Sequence, residues 1–156
     1  MEKTNAIRLL TLANIKFEVH EYDENETDGC KVASLLSLSE DEVFKTLVTV
    51  SNTNEHFVFV IPVNCKLDLK KAAKAVNMKY VEMIKQKELY PLTGYIHGGC
   101  SPIGMKKKFK TIINDTALLF DKIYVSAGKV GMNLDINPNE LEIDNKIIPE
   151  IYKRVI

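Results

Sequence analysis

Four of the chain's seven glycines fall within eleven residues, Gly94-Tyr95-Ile96-His97-Gly98-Gly99-Cys100-Ser101-Pro102-Ile103-Gly104, and Met105-Lys106-Lys107-Lys108 follows at once. A double glycine admits a backbone path, and an approach of N–H groups to a bound group, that any Cβ would obstruct. Pro102 stiffens the exit of this loop, and the lysine run supplies charge suited to phosphate. Two readings fit the pair Gly98 and Gly99. They form a tight turn between two elements, or their amides hold a carbonyl or an amino-acid moiety. Donors placed where negative charge develops are worth about 3–4 kcal/mol each in acyl transfer.

The rest of the chain carries no repeat, low-complexity tract or Pro/Gly/Ser linker, so residues 1–156 are expected to form a single domain. No apolar run approaches the ~20 residues that span a bilayer. The segment Met1-Glu2-Lys3-Thr4-Asn5 lacks the layout of a secretion signal, which predicts a cytoplasmic protein without a membrane partner. Cys30, Cys65 and Cys100 are odd in number and form no Cys-x-x-Cys, and the histidines at 20, 56 and 97 add no zinc-ligand spacing. Neither a metal nor another cofactor is expected.

Formal net charge is zero, but it is unevenly spread. Residues 18–28 hold six acids, whereas residues 66–110 hold eleven lysines against three acids. Any one of those lysines reads most simply as part of a solvated helix face. Their concentration reads as a footprint for a polyanion, with Lys70, Lys71, Lys74, Lys106, Lys107 and Lys108 as the candidate nucleic-acid contacts.

Periodicity predicts a helix over 4–14, with Ala6, Leu9, Leu10 and Ala13 on one face, and a half-buried strand over 17–22. A short helix near 31–37 follows an acidic loop, and Ser39-Glu40-Asp41-Glu42 has capping-box spacing. The β-rich runs 44–50 and 56–63 form a hairpin about Ser51-Asn52-Thr53-Asn54, with 57–61 apolar enough for a strand buried on both faces. Residues 68–76 give the clearest amphipathic helix, with Leu69, Ala72, Ala73 and Val76 opposite Lys70, Lys71 and Lys74. Strands are expected near 79–82, 111–114, 122–127 and 133–136, and Asn137-Pro138 opens a helix near 138–143. Short strands and helices without a βαβ rhythm indicate a mixed α+β fold.

Among single residues, Lys45 stands out because an ammonium on a partly covered strand is costly unless paired. Read alone, it is more simply a strand-edge lysine pointing to solvent. Cys100 with His97 suggests a thiol and its base, yet three residues apart on a glycine turn they have no defined mutual orientation. Ser126 ends an apolar strand without a Gly-x-Ser-x-Gly elbow.

The glycine loop, Phe44-Lys45-Thr46-Leu47-Val48, Leu69-Lys70-Lys71-Ala72-Ala73-Lys74 and Ile123-Tyr124-Val125-Ser126-Ala127-Gly128-Lys129-Val130-Gly131 together resemble one family. It is that of the YbaK/EbsC-type aminoacyl-tRNA deacylases, also found as the editing domain of some prolyl-tRNA synthetases. The resemblance implies a compact, largely antiparallel, barrel-like mixed sheet surrounded by helices. It implies that Lys45 projects into the pocket and is needed for activity, and that Gly98 and Gly99 hold the acyl group. Tyr22, Gly29, Thr46, Ser126 and Gly128 become substrate-binding residues. The implied substrate is an aminoacyl-tRNA, Cys-tRNA(Pro) with or without Cys-tRNA(Cys), and a ternary complex with prolyl-tRNA synthetase is the implied partner arrangement. For a cysteinyl ester, the substrate's own thiol attacks the carbonyl, so the protein needs no nucleophile.

Two departures qualify the likeness. Asp28 stands where family members carry an aromatic, and Val130 where they tend to carry arginine, which puts the pocket wall and a phosphate contact in question. Deacylation of alanyl-, seryl- or threonyl-tRNA by water, a non-catalytic tRNA- or nucleotide-binding module, and a Cys100-dependent hydrolase remain as other readings.

Overall fold

A computed structural model describes residues 3–140 and 152–156. Helix α1 (Asn5–Leu12) starts at Thr4, whose hydroxyl accepts from the Ile7 N–H at 3.2 Å, and it buries Ala6, Ile7 and Leu10. Ile7 occupies the face expected for Ala13, which lies outside the helix as its cap. Strand β1 (Glu18–Glu21) follows, then α2 (Gly29–Leu35), and then a 3-10 turn at Glu40–Glu42 closed by the Ser39–Glu42 capping box. The hairpin is β2 (Phe44–Ser51) and β3 (His56–Pro62), with Lys45 opposite Ile61 and Thr46 opposite Val60. Asp68 caps α3 (Leu69–Ala75) by accepting from the Lys70 and Lys71 N–H groups, each at 3.0 Å.

Beyond α3 come β4 (Val81–Met83), α4 (Gln86–Thr93), β5 (Lys110–Asn114), β6 (Ile123–Lys129), β7 (Met132–Ile136) and β8 (Tyr152–Lys153). Helix α4 was not expected from the sequence, because its first turn is polar and Pro91 lies inside it. Its ends are nonetheless fixed: Glu88 reaches back to the Lys85 N–H, and the Gly94 N–H donates to Tyr90 O at 2.8 Å. Strand β8, two residues long, has no periodicity to read. At 138–140 a 3-10 turn begins behind Asn137, whose side-chain Oδ1 accepts from the Asn139 N–H at 3.0 Å. The remainder of the expected 138–143 helix lies outside the described residues.

Two sheets result, β1-β7-β6 and β4-β2-β3-β5-β8. The pairs β1–β7, β6–β7, β2–β3 and β2–β4 are antiparallel, while β3–β5 and β5–β8 are parallel. The α+β class and its largely antiparallel pairing match expectation. Among the described residues the arrangement is open rather than a closed barrel, with one backbone bridge between the sheets, from Val43 to Tyr124.

Alternation along β3 builds two apolar layers, as a strand covered on both faces requires. Val58 and Val60 join α1 and the inner face of the three-stranded sheet (Val125, Leu134, Ile136), while Phe57, Phe59 and Ile61 pack under α3 with Ile112 and Val155. Chain polarity thereby leaves one polar stripe on the opposite face of the three-stranded sheet. It carries Ser126 and Asn133, which are paired across β6 and β7.

Candidate active site

Where the two sheets meet, a cavity of about 160 Å³ opens beneath the glycine loop. Val43 and, from β2, Phe44 to Leu47 form one wall, Gly29 and Val32 of α2 another, and His97, Gly98 and Cys100 the roof. Tyr22, Ser126 and Asn133 close it from the polar stripe, with Thr27 and Val63 at the side. A comparable void of ~150 Å³ takes benzene, so this one has room for a small side chain or a group of similar size.

The polar groups here are unusually free. Half-buried Lys45 has no carboxylate of the described residues within ion-pair reach, so an anionic ligand can take the position a counterion would otherwise fill. The Thr46 hydroxyl is buried without a hydrogen-bond partner, the only such side-chain N or O among the described residues. Buried polar atoms are seldom left so unless something binds there. Asn133 is 4% exposed and lines the same cavity. Burial lifts the Tyr22 phenol above its ordinary pKa, against a smaller opposing effect of the Gly131 backbone, so it stays a donor.

No nucleophile–base pair is assembled. Cys100 is 8% exposed, and burial pushes its thiol up to about 12, so it stays protonated at neutral pH. Burial, followed by the Glu40 carboxylate, likewise raises Cys30. The Ser126 hydroxyl accepts from the Gly128 N–H at 3.1 Å, and no hydrogen bond joins His97 to Ser126 or Cys100. Cys100→Ala should therefore retain most of its activity in a deacylation assay. A folded but inactive variant, with an acyl-enzyme trapped on the wild-type thiol, would instead make Cys100 the nucleophile.

Six of the eight residues expected at the site line the cavity: Tyr22, Gly29, Lys45, Thr46, Gly98 and Ser126. Gly98 holds φ +85°, and a Cβ there would lie 2.7 Å from Thr27 Cγ2. Its N–H has no partner among the described residues. Gly99 and Gly128 do not line the cavity. The Gly99 N–H donates to Ile96 O at 2.9 Å, and this residue packs on the backbone of Lys129 and Val130. Gly128, at φ +103°, sits in the β6–β7 bulge against the Tyr95 ring and orients Ser126 through its own N–H.

The Asp28 carboxylate caps α2, accepting from the Cys30 and Lys31 N–H groups at 2.9 and 3.3 Å, and it forms no part of the cavity wall. Val130 lines a separate pocket that shares Tyr22 with the cavity. None of the six candidate nucleic-acid lysines enters the cavity. All are exposed, though Lys71 Nζ donates to Ile156 O at 2.8 Å. Asn133 went unnoticed in the sequence. The alternation Met132, Asn133, Leu134, Asp135, Ile136 marks it as facing away from the core, but only the β6–β7 register puts it beside Ser126.

Residues 24–142 match the family described as an aminoacyl-tRNA editing domain. An Enterococcus faecalis (strain ATCC 700802 / V583) protein named "Putative Cys-tRNA(Pro)/Cys-tRNA(Cys) deacylase EbsC" is 44% identical over 142 residues, which cover 90% of this chain and 87% of that protein. Among solved structures, a "putative trans-editing enzyme for prolyl tRNA synthetase" superposes with a TM-score of 0.83 at 19% identity, covering 99% of this chain and 98% of that one. A hypothetical protein superposes with a TM-score of 0.85 at 21% identity, covering 93% and 96%. At such identities the two structures establish the fold alone. No helix among the described residues is long and apolar enough to cross a membrane.

Proposed function

Because the chain belongs to the aminoacyl-tRNA editing-domain family, we propose that it is a deacylase that removes cysteine from Cys-tRNA(Pro), and from Cys-tRNA(Cys), by cleaving the 3′-terminal ester. The observation that carries this reading is the combination in one small cavity of an unpaired cation, Lys45, a free Gly98 amide and an unsatisfied Thr46 hydroxyl, with no nucleophile of the protein's own. An aminoacyl ester is already reactive. Such a site accelerates its cleavage by holding it, and orientation is worth up to about 7–11 kcal/mol in favourable intramolecular cases.

In this reading Lys45 binds the phosphate of the terminal nucleotide and offsets charge that develops on the ester. The Gly98 N–H donates to the ester carbonyl, while Thr46, Ser126, Tyr22 and Asn133 hold the amino-acid end, with Asn133 Oδ1 able to accept from the α-ammonium. Gly29 keeps the wall thin, since a Cβ there would meet Val63 at 2.5 Å. The bound thiolate attacks the carbonyl carbon and the carbon–oxygen bond to ribose breaks. The ribose oxygen takes up a proton, and a cyclic thiolactone leaves, to be hydrolysed to cysteine. An apolar pocket separates small amino acids by only about 1–3 kcal/mol, so a synthetase that errs between proline and cysteine benefits from such a second sieve.

Gly99 and Gly128 act through the shape of the loop and the bulge, and Lys70, Lys74, Lys106, Lys107 and Lys108 attract the RNA. The whole chain acts as one editing domain in the cytoplasm, where charged tRNA is made, with prolyl-tRNA synthetase able to present the substrate. Catalytic amounts of the protein should release labelled amino acid from Cys-tRNA(Pro) over many turnovers, and far less from alanyl-tRNA(Pro). Binding without release would make it a tRNA-binding module; preference for the alanyl ester would assign a different editing specificity.

A further inference from the structure

Large apolar side chains on a soluble surface are informative where they gather beside unpaired positive charge. On the Gly94–Gly104 loop and its entry helix, two such residues stand out: Tyr90 of α4 is 59% exposed and Ile96 is 56% exposed. The ammonium of Lys106 lies 5.9 Å from the centroid of the Tyr90 ring. The Lys106 N–H donates to Thr93 O at 2.9 Å, and the Gly94 N–H donates to Tyr90 O at 2.8 Å, so the base of the loop is pinned against the end of α4. Lys87, one helical turn before Tyr90, is exposed, as is Lys107. The only acid on α4, Glu88, is turned back to cap the Lys85 N–H. The surface is therefore apolar, aromatic and positive at once.

It is also continuous with the cavity along the chain. Ile96 immediately precedes His97 and Gly98, both of which line the cavity, and the loop tip is fixed by Gly98 against Thr27 and Gly99 against the Lys129–Val130 backbone. An exposed aromatic flanked by cations, beside a site for the end of a strand, is the recognition chemistry of unpaired nucleic acid: base on ring, phosphate on lysine. We infer that Tyr90, Ile96 and Lys106 form a stacking platform for the unpaired nucleotides that precede the esterified residue at the tRNA 3′ end. This inference rests on the deacylase reading for its ligand and adds to it where the strand runs. A second groove, lined by Lys70, Lys74, Lys79 and Tyr80, has similar composition, but it lies on α3 and β4, and none of those four residues lines the cavity.

The test compares wild type, Tyr90→Ala, Tyr90→Phe, Lys106→Gln and Tyr80→Ala, each with three probes. The first is binding of uncharged tRNA(Pro) carrying a fluorescent cytosine analogue at the penultimate position. The second is deacylation of cysteinyl-tRNA(Pro), and the third is deacylation of cysteinyl-adenosine, which lacks the preceding nucleotides. Tyr90→Ala should weaken tRNA binding about tenfold, the loss of one stacked base. It should also abolish the fluorescence quenching and raise KM for the charged tRNA, leaving the rate on cysteinyl-adenosine unchanged. Tyr90→Phe should behave as wild type, and Lys106→Gln should make the log–log salt slope shallower by about 0.7.

Unchanged binding and quenching in Tyr90→Ala overturns the inference. So does an equal loss on cysteinyl-adenosine, which would place Tyr90 in the support of the fold or cavity, or a transfer of the whole effect to Tyr80→Ala. A wild-type protein that binds and quenches the tRNA probe but deacylates nothing would remove the deacylase reading and leave the platform standing.

Discussion

Lys45→Ala should lower the rate of Cys-tRNA(Pro) deacylation by about 10²–10³-fold, the cost typical of removing one group that stabilises developing charge in acyl transfer. The protein should stay folded. Lys45 is one of eight residues of β2, held by antiparallel pairing to Ile61, and this backbone pairing does not depend on the side chain. Its ammonium has no carboxylate partner among the described residues, so truncation leaves no buried counter-charge stranded. The adjacent thiol of Cys30, already raised by burial, loses the one nearby cation that lowers it and so becomes still less able to substitute as a nucleophile. Single-turnover rates alongside thermal unfolding check both halves. A folded variant with near-normal turnover would remove Lys45 from the chemistry.

Much of the cavity lining is legible in the sequence because its parts come in short contiguous blocks. The run Phe44–Val48 delivers Lys45 and Thr46 from one strand, and the double glycine delivers Gly98 from one loop. What could not be read depends on register and on hydrogen-bond accounting. Gly98 and Gly99 look equivalent in sequence, yet one N–H is free and the other is bound to Ile96 O. Asp28 looked like an altered pocket wall, and proves to be the cap of α2. Asn133 enters the cavity only because β7 pairs with β6 so as to set it opposite Ser126. Helix α4, which carries the exposed Tyr90, is not legible because its first turn is polar and Pro91 interrupts its backbone bonding, and the capping at both ends that offsets this depends on local geometry. The barrel-like closure implied by family resemblance also depends on long-range pairing, and among the described residues one backbone bridge joins the two sheets.

The central claim is chemical: the nucleophile is on the substrate. A thiolate is a far better nucleophile at neutral pH than a hydroxyl, and the protein's own cavity thiol is held protonated, with a pKa of about 12. In the proposed reading, positioning by Lys45, Gly98 and Thr46 would accelerate whatever group is held against the carbonyl, so the identity of one substrate atom should dominate the rate. The pH dependence has a fixed sign. Below the substrate thiol's pKa, near 8.5 for an unperturbed cysteine, the rate on cysteinyl-tRNA should rise about tenfold per pH unit, then level off. Cys100 cannot produce that bend, because its titration lies well above it. The decisive measurement is single-turnover deacylation of cysteinyl-tRNA(Pro) and seryl-tRNA(Pro), which differ by sulfur for oxygen, across this pH range. Cysteinyl ester should be cleared about 100-fold faster or more, with the bend present for that substrate alone; rates within a few-fold of each other, and parallel pH profiles, would contradict substrate-thiol attack and leave hydrolysis by bound water.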